Sequence, residues 1–194
     1  MPGVTLATRL PSCCGRLPDR IRLVMRRICK ASRRRPSERR VAKLTEEMKR
    51  MVVEQKLGLV ATVNEDGTPN LSPKATFVVT SDEQIVFGDL RSPNTQRNVE
   101  ARGGMELNFV DPIARKGFRA KGQARYVPNP SAEFDELLPR FAEWGTLTER
   151  MRGVFVLDIE RAVSVTSPAY DDGADETELR QGWLKRFNDL NADL

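Results

Sequence analysis

The sequence predicts a mainly β protein with flanking helices (α+β), six antiparallel strands closing into a small barrel. Three observations carry this. Short β-rich runs follow one another through tight turns, which implies antiparallel pairing and not βαβ crossovers. Six strands of this length are enough to close a barrel. The helical segments fall before, between and after the strand runs, so they pack outside it.

Val41–Gln55 reads as the first helix, with Thr45 as N-cap, Glu46–Glu47 at the positive end of the dipole and Met48, Met51 and Val52 as its apolar stripe. Leu57–Val63 is a buried strand, and Asn64-Glu65-Asp66-Gly67 is a hairpin turn. Thr68–Thr80 is the return strand, and Gln84–Asp89 a third strand after the turn at Ser81-Asp82-Glu83. Ser92 followed by Pro93 is an N-cap with Pro at the first helical position, and this helix ends at Gly103-Gly104. Met105–Val110 and Lys116–Val127 are the fourth and fifth strands. Ser131 caps a helix over Ala132–Trp144. Gly153–Ser167 is the sixth strand, bent near Glu160, and Glu176–Asn188 a terminal helix with Leu179, Trp183, Leu184 and Phe187 on one face.

Charge divides the chain of 194 residues in two. Residues 1–40 hold 12 basic and 2 acidic residues, a net of +10, while the rest holds 20 and 25, a net of −5. The high pI therefore belongs to the first 40 residues, and the acidic remainder makes no electrostatic case for binding nucleic acid. Cys13, Cys14 and Cys29 fall in the same basic segment. That segment reads as a disordered basic extension, with an organelle-type transit peptide or a basic arm for nucleic acid or anionic lipid as the other readings. Residues 41–194 are the folded domain. No apolar run reaches the length of a bilayer span and no secretory core is present, so a cytoplasmic location is expected.

The chain has no His. That removes Ser-His and Cys-His nucleophile pairs throughout, and Cys/His metal sites from residues 41–194. No metal site is expected. A cofactor is then the expected carrier of any difficult chemistry. A phosphorylated cofactor wants a helix N-terminus and one or two cations. Ser92-Pro93 opens a helix with Arg91, Thr95 and Arg97 within a turn, and Ser72, Lys74 and Thr76 alternate along one face of the second strand. Either group can equally be ordinary solvated surface.

The stretches LGLVATVNEDGTPNLSPKATFVV, FGDLRSPNTQRNVEARG and KGFRAKGQARYV resemble the pyridoxamine 5′-phosphate oxidase-like, FMN-binding split-barrel family, over roughly Val41 to Ser167. The resemblance implies a split β-barrel, FMN as cofactor, and a homodimer with flavin at the subunit interface. It matches the family's phosphate and ribityl positions to Ser72, Pro73, Lys74 and Thr76, and to Arg91, Ser92, Thr95, Arg97 and Asn98. The family often has Lys where Thr95 stands, which leaves Lys74, Arg91 and Arg97 to supply charge. Gly122 allows a close backbone approach that would suit a flat ring, and Gln123 after it is a candidate for the flavin ring edge. Trp144 is a core aromatic or a stacking partner, and Arg119 and Lys121 are a solvated edge or meet a substrate or the second subunit's phosphate.

The implied function is an FMN-dependent oxidoreductase acting on a small diffusible substrate or electron donor, with no catalytic residue assigned. The alternatives are a non-catalytic flavin-binding or storage protein, or a member that binds a deazaflavin or haem. Members of the resembled family that oxidise a vitamin-B6 phosphate carry a basic, His-containing substrate site near the C-terminus; the C-terminal segment here has no His and an acidic first half, so the resemblance disfavours that substrate.

Overall fold

The computed structural model describes residues 43–192. The expectations for residues 1–40 and for the start of the first helix at Val41 lie outside the described residues. Helix α1 spans Glu46–Gln55, and Thr45 caps it by accepting from the Met48 amide at 3.3 Å. The strands are β1 (Gly58–Val63), β2 (Pro69–Lys74), β3 (Phe77–Ser81), β4 (Gln84–Asp89), β5 (Gly104–Asp111), β6 (Lys116–Pro128) and β7 (Gly153–Thr166). Helix α2 (Pro93–Arg102) joins β4 to β5, α3 (Ala132–Leu137) follows β6, and α4 (Glu176–Leu190) closes the described chain.

The described residues form seven strands, not six, because the expected return strand Thr68–Thr80 is two strands separated by Ala75-Thr76. The cause is legible in hindsight: Pro69 and Pro73 lack an N–H to donate, and Pro is confined to sheet edges. β2 is accordingly an edge strand, paired among the described residues with β1, while the apolar run from Phe77 starts a new strand on β4.

The sheet order is β2-β1-β5-β6-β7-β4-β3, with every pair antiparallel. β2 and β3 are therefore opposite edges, yet only residues 75 and 76 separate them. Three virtual bonds of 3.8 Å bring the Cα atoms of Lys74 and Phe77 within about 11 Å. The sheet must curl until its edges meet without bonding, which makes a split barrel.

Phenylalanines fill the interior. Phe77 meets Phe109 edge-on at 4.8 Å and Phe87 at 5.1 Å, Phe87 stacks on Phe155 at 4.8 Å, and Phe109 stacks on Phe118 at 5.3 Å. Each buried ring of this size stabilises the fold by about 1.5–3 kcal/mol. Leu44, Met48 and Val52 bring α1 onto the same core. A second cluster joins Phe134, Phe141 and Met151 to Val86, Val154 and Val156 on β4 and β7, with Trp144 against Phe141 at 5.7 Å. Trp144 is thus a packing residue.

The helix expected over Ala132–Trp144 is α-helical only to Leu137 and continues as 3-10 turns to Arg150, kinked at Gly145 (φ 51°). Pro139 explains the change, since it removes an N–H and crowds the preceding turn. The bend near Glu160 is a β-bulge: Lys121 pairs with Arg161 and Gly122 with Ile159, so Glu160 is the extra residue. Among the described residues no helix is long and apolar enough to cross a membrane.

Candidate cofactor site at the barrel seam

Cross-strand register decides where the β2 side chains point. Asn70 lies opposite Thr62, Ser72 opposite Val60 and Lys74 opposite Gly58. Directly opposed residues share a face, and Val60 and Thr62 are buried. Asn70, Ser72 and Lys74 therefore face inward along an edge strand, while Pro69, Leu71 and Pro73 face outward. The polar residues expected along one face of the second strand, Ser72 and Lys74, line the seam.

Helix α2 runs beside it. Asn70 Nδ2 donates to Thr62 Oγ1 at 3.0 Å and to Thr95 Oγ1 on the helix at 3.4 Å. Asn98 Nδ2 donates to Thr62 Oγ1 at 3.0 Å and to Asn64 Oδ1 at 2.9 Å. Arg102 Nη2 donates to Asn98 Oδ1 at 3.2 Å and its Nε to the Val63 carbonyl at 3.1 Å. Gly103 ends the helix at φ 71°, a left-handed conformation that glycine adopts without a Cβ penalty. A groove of about 790 Å³ opens outside this network, lined by Asn64, Asn94, Arg97, Asn98 and Arg102 among others.

Lys74 holds the other end of the seam. Its Nζ donates to Ser72 Oγ at 2.7 Å. Burial pushes its pKa below the usual lysine value, opposed by the negative charge of Asp89. Asp89 ends β4 and is 1 % exposed. Its Oδ2 accepts from the Tyr126 hydroxyl at 3.3 Å, and its Oδ1 has no hydrogen-bond partner among the described residues. Burial, then Asp89, raises the Tyr126 phenol to about 12.

A family model for pyridoxamine 5′-phosphate oxidase matches residues 44–165. The chain belongs to the pyridoxamine 5′-phosphate oxidase family. Among solved structures, HupZ of Group A Streptococcus is 27 % identical with a TM-score of 0.55, covering 64 % of this chain and 95 % of its own. A Lactobacillus delbrueckii protein assigned as a pyridoxamine 5′-phosphate oxidase is 21 % identical with a TM-score of 0.55, covering 64 % and 96 %. An FMN-binding protein of Syntrophomonas wolfei is 13 % identical with a TM-score of 0.53, covering 76 % and 98 %. The latter two share the fold. No curated protein matches.

The structure brings together some of the family-matched residues and separates others. Ser72 and Lys74 line the seam, with Thr95 and Asn98 on the facing helix. Thr76 is near but engaged: its hydroxyl donates to the Gly88 carbonyl at 3.0 Å and accepts from the Gly88 amide at 3.1 Å. Its alternation with Ser72 and Lys74 ends where β2 ends. Ser92 is buried and precedes Pro93 as expected, but its side chain makes no capping hydrogen bond. Pro73 and Arg91 are exposed, and so is Arg97, which donates to Asn94 Oδ1.

Gln123 lies apart. It is level with Gly104, whereas Lys74 is level with Gly58 and so with Phe109. Five residues along β5 span about 17 Å. The close approach expected at Gly122 is to protein, since a Cβ there would sit 1.9 Å from the Asp158 carbonyl oxygen. The sequence reading missed Asn70, Thr62, Asn64 and Asp89. Asn70 was findable from the hairpin register, because it alternates with Ser72 and Lys74.

Proposed function

We propose that this protein binds FMN along the β2–α2 seam as a homodimer and works as an FMN-dependent oxidoreductase on a small diffusible partner. The observation that carries the reading is Lys74, a half-buried lysine on the inner face of an edge strand, in line with Ser72 and with Asn70, which meets Thr95 on α2. A half-buried ammonium wants an anion, and a phosphate answers that need.

The donor set fits a phosphorylated, polyhydroxylated cofactor. Lys74 and the start of α2 supply positive potential for the phosphate. Ser72, Asn70, Thr95 and Asn98 can exchange hydrogen bonds with hydroxyls. Bound flavin would supply the two-electron chemistry. The chain's part is to hold and orient the cofactor and to shape the local charge, with Asp89 limiting how strongly the seam attracts anions. The Tyr126 phenol, raised to about 12, keeps its proton at neutral pH.

A second reading, a non-catalytic flavin carrier, is favoured by the composition. Residues 43–192 contain no His and no Cys, so a side chain that exchanges a proton near pH 7 is missing. The same absence removes His and Cys thiolate as axial ligands for a haem.

The test is spectroscopic. The purified protein is expected to be yellow or to become so with FMN, and Lys74→Ala to retain flavin at least tenfold less well. A wild type that takes up no FMN sinks the flavin reading. Anaerobic bleaching by NADH or NADPH with recolouring in air supports the enzyme, and a flavin that is bound but never reduced supports the carrier.

A further inference from the structure

We propose that the outer face of β5–β6–β7 carries a separate site for the phosphate or carboxylate of a small anionic molecule, built from Lys121, Arg161 and Arg119. Lys121 lies directly opposite Arg161 in the β6–β7 register, and Arg119 is two residues along β6 on the same face. Like charges directly opposed weaken a sheet. The juxtaposition is made by the bulge, which sets Glu160 aside and brings Arg161 level with Lys121. Bulges commonly re-aim side chains at functional positions.

Compensation within the chain is incomplete. The acid in the groove is Glu106, directly across from Lys121 on β5, and its Oε1 lies 3.5 Å from Arg119 Nε. Lys121 and Arg161 are left without an ion pair among the described residues. A local electrostatic rule broken with only one acid among three cations points to a functional position.

The groove has a volume of about 110 Å³, with Val163 completing its wall. It suits one oxyanion group and is too small for a whole cofactor, which takes about 300 Å³ or more. The site faces outward, whereas Lys74 faces inward, so it is independent of the seam.

The test is amide chemical-shift mapping of the full-length protein, titrated at constant ionic strength with inorganic phosphate and, separately, with acetate. Saturable shifts centred on residues 119–121 and 161–163 are expected. They should weaken at least tenfold in Lys121→Gln/Arg161→Gln, persist in Lys121→Arg, and persist in Lys74→Ala. The phosphate and acetate arms tell which oxyanion is preferred. Shifts that grow linearly without saturation, or that stay confined to β2 and α2, would overturn the site. So would a change of oligomeric state in the double glutamine variant without loss of anion binding, since the cations would then serve a subunit contact.

Discussion

Asp89 and Lys74 set the charge of the seam between them, and each yields a test. Lys74 carries its positive charge against burial, and Asp89 is the negative charge that helps it do so. A lysine depressed in the folded state binds fewer protons than in the unfolded chain between its folded pKa and 10.5. Its contribution to stability therefore rises with pH across that window. An anion bound beside it reverses the bias, so FMN affinity should fall as pH climbs towards 10.5, and this slope should vanish in Lys74→Ala. Asp89→Asn removes a buried negative charge and should tighten FMN, readable by fluorescence titration; weaker binding would mean that the carboxylate itself serves the ligand. Tyr126 has the opposite sign to Lys74. Its phenol is raised from 10.0 to about 12, so the folded state holds a proton that the unfolded state has lost. The stability it contributes is present below pH 10 and is lost as pH rises towards 12. Tyrosinate absorbance, with Tyr126→Phe subtracted, should show this titration near 12.

At the scale of elements, the bulge and the seam crossover are the points where one atom decides the geometry. A methyl group on Gly122 would meet the Asp158 carbonyl oxygen at 1.9 Å, and backbone cannot yield as a flexible side chain can. Gly122→Ala should destabilise by about 3 kcal/mol or more, seen as a lowered urea midpoint. Thr76 clamps the crossover by both donating to and accepting from Gly88, and Thr76→Val should cost about 1–3 kcal/mol. These two positions also show what the sequence could and could not reveal. Gly67 and Gly103 were readable as turn and helix end because their requirement is local, a positive φ of 82° and 71°. Gly122 was readable as a close approach, but not to what, because its neighbour comes from a strand more than thirty residues on. The split of the expected strand at Ala75-Thr76 was hidden for the same reason, since Thr76 is held by Gly88 and not by its own neighbours. Lys74 was legible as a candidate and its inward orientation was not, because only pairing with β1 settles which face of β2 is inside.

On the scale of the whole molecule, apolar side chains stand exposed on the outer face of the sheet. Leu71 is 63 % exposed, Val63 48 % and Leu59 36 %, and register places all three on the outer side of β2 and β1 with Pro69 and Pro73. Contiguous exposed apolar surface of this kind marks an interaction site. The homodimer proposed above would cover this face and join it to the proposed cofactor site, because the same two strands line the seam on their inner side. Docking there would stiffen β2, an edge strand that carries two prolines and pairs, among the described residues, with β1. Oligomerisation and flavin retention should therefore be coupled. Leu71→Glu places a charge in the middle of the apolar face, far from any core contact, so the fold should survive. Native mass spectrometry is expected to show a dimer with two FMN for the wild type and a flavin-poor monomer for Leu71→Glu. A Leu71→Glu monomer that keeps its FMN at wild-type affinity would show that each seam holds its cofactor alone, and that the apolar face serves some other partner.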